Sequence, residues 1–220
     1  MGVSAAQGSA GLKQGVCTST TRPSNPFEGQ MIYETDTDLT YIWGGTAWQQ
    51  VSGGTAVGNS GLVYVTSATI GTTVSTVTVS SCFSTTYDNY KIIVAGGVAS
   101  ASADNLGLTL GSTTTGYRGS LIGVNQLGSS VVAYDNNTNN KWVWAGGIDT
   151  TGVFANIELF NPFLSVVTFA DMNMVRAGAN GHWKCFGTLA NTTSYTAFTI
   201  TPASGTLTGG TITVYGYRKA

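Results

Sequence analysis

Charge is what this chain lacks most. Only 9% of its 220 residues are charged, against roughly 25% in ordinary globular proteins. Nine Lys and Arg face ten Asp and Glu, for a formal net charge of −1. The surplus of cations that displaces counterions from a phosphate backbone is missing, which excludes a nucleic-acid binder working by charge neutralisation. Histidine is nearly absent too. With one residue, His182, a multi-histidine metal centre or a two-histidine proton shuttle cannot be built within one chain. The three cysteines, Cys17, Cys82 and Cys185, are too widely spaced for a zinc knuckle. Their odd number argues against a disulfide-stapled scaffold. Cys82 and Cys185 each sit in an apolar alternating run, so they are read as reduced core residues. No apolar run reaches the roughly 18 residues that a membrane helix needs, so no membrane insertion is expected. The opening MGVSAAQGSAGLKQG lacks the basic cap and apolar stretch of a signal peptide. A product kept in a reducing cytoplasm until assembly or lysis is expected.

Helical patterning is missing as well. What the chain has is glycine, threonine, serine and alternating apolar residues. A hydrophobic fraction of 42% is too high for disorder. Residues 1–16 are small and polar and read as an N-terminal arm. Residues 17–51 carry Pro23 and Pro26 in an extended lead-in, then three strand-like runs: Gln30–Glu34, Thr40–Trp43 and Trp48–Val51. The first turn contains Asp36 and Asp38, which can bond their own backbone. The second contains Gly44-Gly45, which supplies the positive φ of a tight hairpin. A three-stranded meander follows, at the lower limit of independent stability. Met31, Tyr33, Tyr41, Trp43 and Trp48 are more large apolar side chains than so small a sheet can bury. They must pack on something else, either the rest of the chain or copies of the same sheet, and three copies meeting about an axis are the expected interface. Each one buried contributes about 1.5–3 kcal/mol.

Residues 52–61 (SGGTAVGNSG) read as a linker. Residues 62–220 alternate in period two almost throughout, with about ten strands expected at sandwich-like spacing. The expectation is all-β: a small meander followed by a jelly-roll-like antiparallel β-sandwich. Outward positions are mostly Thr and Ser, whose branched or small side chains suit a pleated sheet. Charge that would guard the sheet edges is thin. Identical neighbours covering those surfaces are therefore expected.

The string TRPSNPFEGQMIYETDTDLTYIWGGTAWQQV resembles a module of bacteriophage tail and fibre proteins. The match is carried by Arg22, Pro23, Pro26, Glu28, Gly29, Tyr33, Thr35, Asp36, Thr37, Leu39, Trp43, Gly45 and Trp48. YDNYKIIVAGGVASASADNLGLTLGS and the closing GGTITVYGYRKA look like phage virion β-domains. The resemblance implies a virion structural protein, usually a homotrimer, on a tail, baseplate or capsid surface. It would be assembled in the host cytoplasm against other virion proteins. A tail-fibre or receptor-binding component is the leading expectation, and a capsid decoration or head-fibre protein the alternative.

No enzyme, metal or cofactor is expected. Glu34, Asp36 and Asp38 lack the spacing of a calcium loop. His182 and Cys185 would point to opposite faces of a strand, which argues against a Cys/His dyad. The acids of the second region, Asp88, Asp104, Asp135, Asp149, Glu158 and Asp171, show no paired pattern for sugar hydrolysis. The stretch YDNNTNNKWVW joins an Asn-rich loop to aromatic rings. Tyr134, Asn136, Asn137, Trp142 and Trp144 are therefore the candidate contact for a host surface glycan.

Overall fold

The computed structural model describes residues 15–52, 61–125, 130–176 and 181–219. Residues 1–14, most of the expected arm, lie outside them, as do residues 53–60, most of the expected linker. The chain divides into two compact units, Met1–Asn59 and Ser60–Ala220. Every regular element among the described residues is a strand.

The first unit is a four-stranded sheet in the order β1-β2-β3-β4: β1 Gly15–Cys17, β2 Met31–Glu34, β3 Leu39–Trp43 and β4 Trp48–Ser52. Three strands form the expected meander. The fourth is a correction: Gly15 and Val16 do not belong to an arm but to β1, which pairs in parallel with β2. A parallel neighbour needs a crossover, and the proline-bearing segment 18–30 supplies it. Segment 44–47 closes the β3–β4 hairpin, where Gly44 N–H donates to the Ala47 carbonyl at 3.0 Å. Gly45 there has φ +89°, which a side chain would oppose.

The second unit is an antiparallel β-sandwich. Its strands are β5 Leu62–Thr69, β6 Val77–Val79, β7 Asn89–Ala95, β8 Val98–Ala99, β9 Asp104–Leu110, β10 Tyr117–Asn125 and β11 Val131–Asn139. They continue as β12 Trp142–Asp149, β13 Gly152–Phe160, β14 Thr168–Arg176, β15 Gly181–Leu189, β16 Phe198–Pro202, β17 Leu207–Thr208 and β18 Thr211–Tyr217. One layer runs β11-β10-β15-β14-β13-β7-β18-β5, and the other β12-β9-β16-β6. The layers join at β13, whose first residues pair with β12 and whose remainder, from Ala155, pairs with β7. Strands outnumber the ten expected because several are only two or three residues long.

Alternation sets the core. Val153, Ala155, Ile157 and Leu159 of β13 are buried, as are Leu106, Leu108 and Leu110 of β9 and Ile212 and Val214 of β18, all in one core cluster. Aromatic rings lock the layers. Phe83 packs edge-on against Tyr90 and stacks on Phe198. Tyr117 is buried, yet its hydroxyl accepts from Leu110 N–H at 2.7 Å and donates to the Thr113 carbonyl. Burying that phenol without partners would cost several kcal/mol, so the bonds are what make the site tolerable.

Candidate functional site

The five residues expected to share one interface are split by the register of the first sheet. Opposed residues of an antiparallel pair lie on the same face, and Ile32 opposes Tyr41, Glu34 opposes Leu39, and Trp43 opposes Trp48. Tyr41, Trp43 and Trp48 therefore sit together with Ile32. Met31 and Tyr33 lie on the other face, with Ile42 and Val16. The expected interface set is thus divided between the two faces of the sheet. Adjacent strand residues point to opposite faces, so Met31-Ile32-Tyr33 cannot act as one patch.

The first face is closed by its own chain. The Arg22 guanidinium sits 4.3 Å over the Tyr41 ring. Its Nε donates to Glu34, whose side chain is fully buried. Thr37 Oγ1 donates to the second Glu34 oxygen at 2.8 Å. Arg22 thereby holds the Glu34 carboxyl below its usual range. Asp36 accepts from Ser19 Oγ at 2.6 Å and from Ser19 N–H at 2.9 Å, and these bonds hold its carboxyl down as well. Asp36 thus reaches across to another segment rather than only capping its own turn. Tyr33 hydroxyl donates to Asp38 at 2.7 Å. Trp43 and Trp48 meet edge to face at 5.5 Å. The opposite face stays open: Val16 is 69% exposed and Met31 41%.

In the sandwich, the expected glycan contact comes apart. Segment 136–140 is not a hairpin loop. β11 runs to Asn139, and β11 and β12 belong to different layers. Trp142 is corrected to a core position. It is buried, meets Tyr117 edge-on at 5.1 Å, and its Nε1 donates to the Arg118 and Thr188 carbonyls at 3.2 and 3.3 Å. Gly187 permits this, because a Cβ there would lie 2.4 Å from that nitrogen. Trp144 is half-buried, Asn136 likewise, and Tyr134 is exposed on the edge strand. The side chain of Asn137 lies outside the described residues. The crevice shared by Asn136, Trp142 and Trp144 holds about 10 Å³, which is water-sized at most and excludes a sugar ring.

A larger concavity lies elsewhere. A groove of about 490 Å³ runs over the outer face of β10, β14 and β15, lined by Phe160, Phe169 and Phe186 with Arg118, Asp135 and Asp171 at its sides. Phe160 directly opposes Phe169, and Phe186 is paired across to Asp171 and Ser120. A second groove, along Ile122, Val124, Asn173, Val175 and His182, lies on the same face.

No family model, curated protein or solved structure matches this chain.

Two thiols are buried and several acids have structural partners. Burial pushes the thiols of Cys82 and Cys185 up to about 12, so neither is a thiolate near neutral pH. His182 is exposed while Cys185 is fully buried, the opposite-face arrangement read from their spacing. Asp149 is buried and accepts from Ala103 N–H at 2.9 Å, from Ser102 Oγ at 3.2 Å and from Thr151 Oγ1 at 3.1 Å. It pins the 99–104 segment to the β12–β13 turn. Glu158 is taken by Lys91 and Tyr217. Among the described residues no group of three His, Cys, Asp or Glu is arranged to hold a metal ion.

Reading the sequence missed the phenylalanine groove. The signal was present in the residues opposite the inward runs: Phe160, Phe169 and Phe186 each fall at an outward position, on strands whose other outward residues include Asn156, Glu158, Asp171, Lys184 and Thr188.

Proposed function

We propose that this chain is a non-enzymatic structural component of a bacteriophage particle, a homotrimeric tail-fibre or receptor-binding protein whose first unit attaches and whose sandwich faces outward. One observation carries the reading. The residues that resemble the phage module are spent on building a small sheet, and one side of that sheet exposes Val16 and Met31 beside the half-buried Tyr33 and Ile42. The Arg22–Glu34 and Ser19–Asp36 contacts tie the crossover to the sheet. Gly29 has φ +85° and its N–H donates to the Trp43 carbonyl. A module whose conspicuous residues hold its own shape, with no paired acid and base left over, suits docking rather than chemistry.

Two measurements test this. Sedimentation equilibrium of the purified chain should give three times the monomer mass of 22.7 kDa. Gold labels on the C-terminus should decorate the tails of particles from the host lysate. A monomer at tens of micromolar would remove the trimer. Label on heads would replace the fibre with a capsid decoration protein, and label on no particle would end the phage reading.

A further inference from the structure

We propose that segment 15–26, which holds β1 and most of the crossover, is an acid-released strap: at low pH it swings off the first sheet about a hinge at residues 27–30, while the β2–β3–β4 meander stays paired. This concerns how the first unit is fastened rather than what it docks to, and it stands whether or not the protein belongs to a phage.

Backbone bonds place the hinge. Gly29 N–H donates to the Trp43 carbonyl and Trp43 N–H to the Gln30 carbonyl, each at 2.8 Å. Gln30 N–H donates to the Phe27 carbonyl at 3.0 Å, and Gln30 Oε1 accepts from Phe27 N–H at 3.2 Å. From that turn onward the chain is fixed to β3. Before it, the hold is of another kind. β1 pairs with β2 over only three residues, Gly15–Cys17, and Thr35 N–H adds a bond to the Cys17 carbonyl at 3.0 Å. Pro23 and Pro26 have no N–H to give. The polar fastenings beyond β1 run to two carboxylates. Arg22 Nε donates to Glu34, and Ser19 donates to Asp36 through its N–H at 2.9 Å and its Oγ at 2.6 Å.

The surroundings of these acids make the fastening titrate. Glu34 is fully buried. It meets Arg22 from the crossover, Thr37 and Asp36 from the turn after β2, Cys17 across from it on β1 and Leu39 across from it on β3, with Tyr41 under the guanidinium. Arg22 is the cation set against both acids. Its bond holds the Glu34 carboxyl down, and the Ser19 bonds hold Asp36 down. Burial raises the Cys17 thiol, with the Glu34 charge adding to it, so Cys17 stays neutral in acid. An ionised carboxylate accepts a far stronger hydrogen bond than a neutral acid. The clasp is therefore whole above the ordinary carboxylate range of about 4 and is lost as pH falls through the lowered folded values. The meander rests instead on strand pairing and on the Trp43–Trp48 contact, which do not titrate there. Its own carboxylate contact, Tyr33 to Asp38, is local to β2 and the turn that follows.

Amide hydrogen exchange of the full chain, followed by NMR from pH 7 to pH 3 and corrected for the intrinsic rate at each pH, tests this. The Ser19 and Thr35 amides report the strap, and the Gly29 and Trp43 amides report the hinge and meander. Protection at Ser19 and Thr35 should fall about tenfold or more on acidification, and protection at Gly29 and Trp43 by less than about twofold. Strap amides that stay protected to pH 3 overturn the proposal. So do strap and meander amides lost together at one pH, which is unfolding of the unit, and a Thr35 amide already unprotected at pH 7. Glu34→Gln/Asp36→Ala should show the low-pH pattern at pH 7. If that variant also loses protection at Trp43, Asp36→Ala alone decides, because Asp36 is exposed. Ser19 and Thr35 exchanging about threefold faster or more at pH 7, with Trp43 unchanged, supports the strap, and unchanged exchange at both overturns it.

Discussion

The two units of this chain solve the same problem, a charge-poor β-structure, by different means. The sandwich is held by apolar contact between two layers, and its ion pairs Lys91–Glu158, Lys184–Asp171 and Lys219–Asp88 are all partly exposed. The small N-terminal sheet is too thin for that, and its coherence rests on ionised groups. Arg22 clasps Glu34, Ser19 donates to Asp36, and the crossover is bound to the sheet through these carboxylates. The lesson is one of scale. Below about forty residues a hydrophobic core supplies little stability, and oriented hydrogen bonds to charge must define the fold.

The most severe way to break this contrast is to cut into the sandwich core. Trp142→Ala removes a buried indole and leaves two carbonyls without their donor. It should destabilise the second unit by about 3–5 kcal/mol, read from urea unfolding. A loss below 1 kcal/mol would mean that Trp142 faces solvent after all. Next comes Arg22→Ala, which strands the buried Glu34 carboxylate. The first unit should lose the β1–β2 pairing, seen as fast amide exchange at residues 15–17, while the sandwich melts at its normal temperature.

Titration should separate the units without mutation. Glu34 and Asp36 have folded-state pKa values below their ordinary ones, so the unfolded chain binds more protons in that range. Their contribution is present above the ordinary carboxylate range of about 4 and fades as pH falls through the depressed folded values. Acid should therefore loosen the first unit before the second. In the sandwich, burial raises Tyr117 and Tyr217 to about 12, with Glu158 adding to the shift at Tyr217. Their contribution is complete below the ordinary tyrosine range of about 10 and is lost as pH rises through about 12. Circular dichroism against pH should show acid failure first in one unit and alkaline failure first in the other. A common midpoint would dissolve the contrast. The smallest effect is expected at the surface pair Thr78–Thr199, whose hydroxyls meet at 2.8 Å. Thr199→Ala should cost about 0.2–1 kcal/mol.

Period-two alternation made the sandwich readable residue by residue, because the side-chain direction of a strand follows from its own sequence. Val153, Ala155, Ile157 and Leu159 are inward as their spacing demands. The meander was readable for the same reason together with its turn glycines. Trp142 was misplaced because an aromatic beside an Asn-rich stretch looks the same whether it faces water or a facing layer. Only the second layer, and the space left over Gly187, put it inside.

What the sequence by itself determined was the strand content, the inward set and the burial of Cys82 and Cys185, since each depends on residues near one another in the chain. What only the tertiary structure decided was which outward residues become neighbours. Phe160, Phe169 and Phe186 come from three strands, and Arg22 meets Glu34 across a crossover. Such contacts are set by strand order and register, which no local pattern encodes, because a slip of one residue or a different neighbour would scatter them over opposite faces.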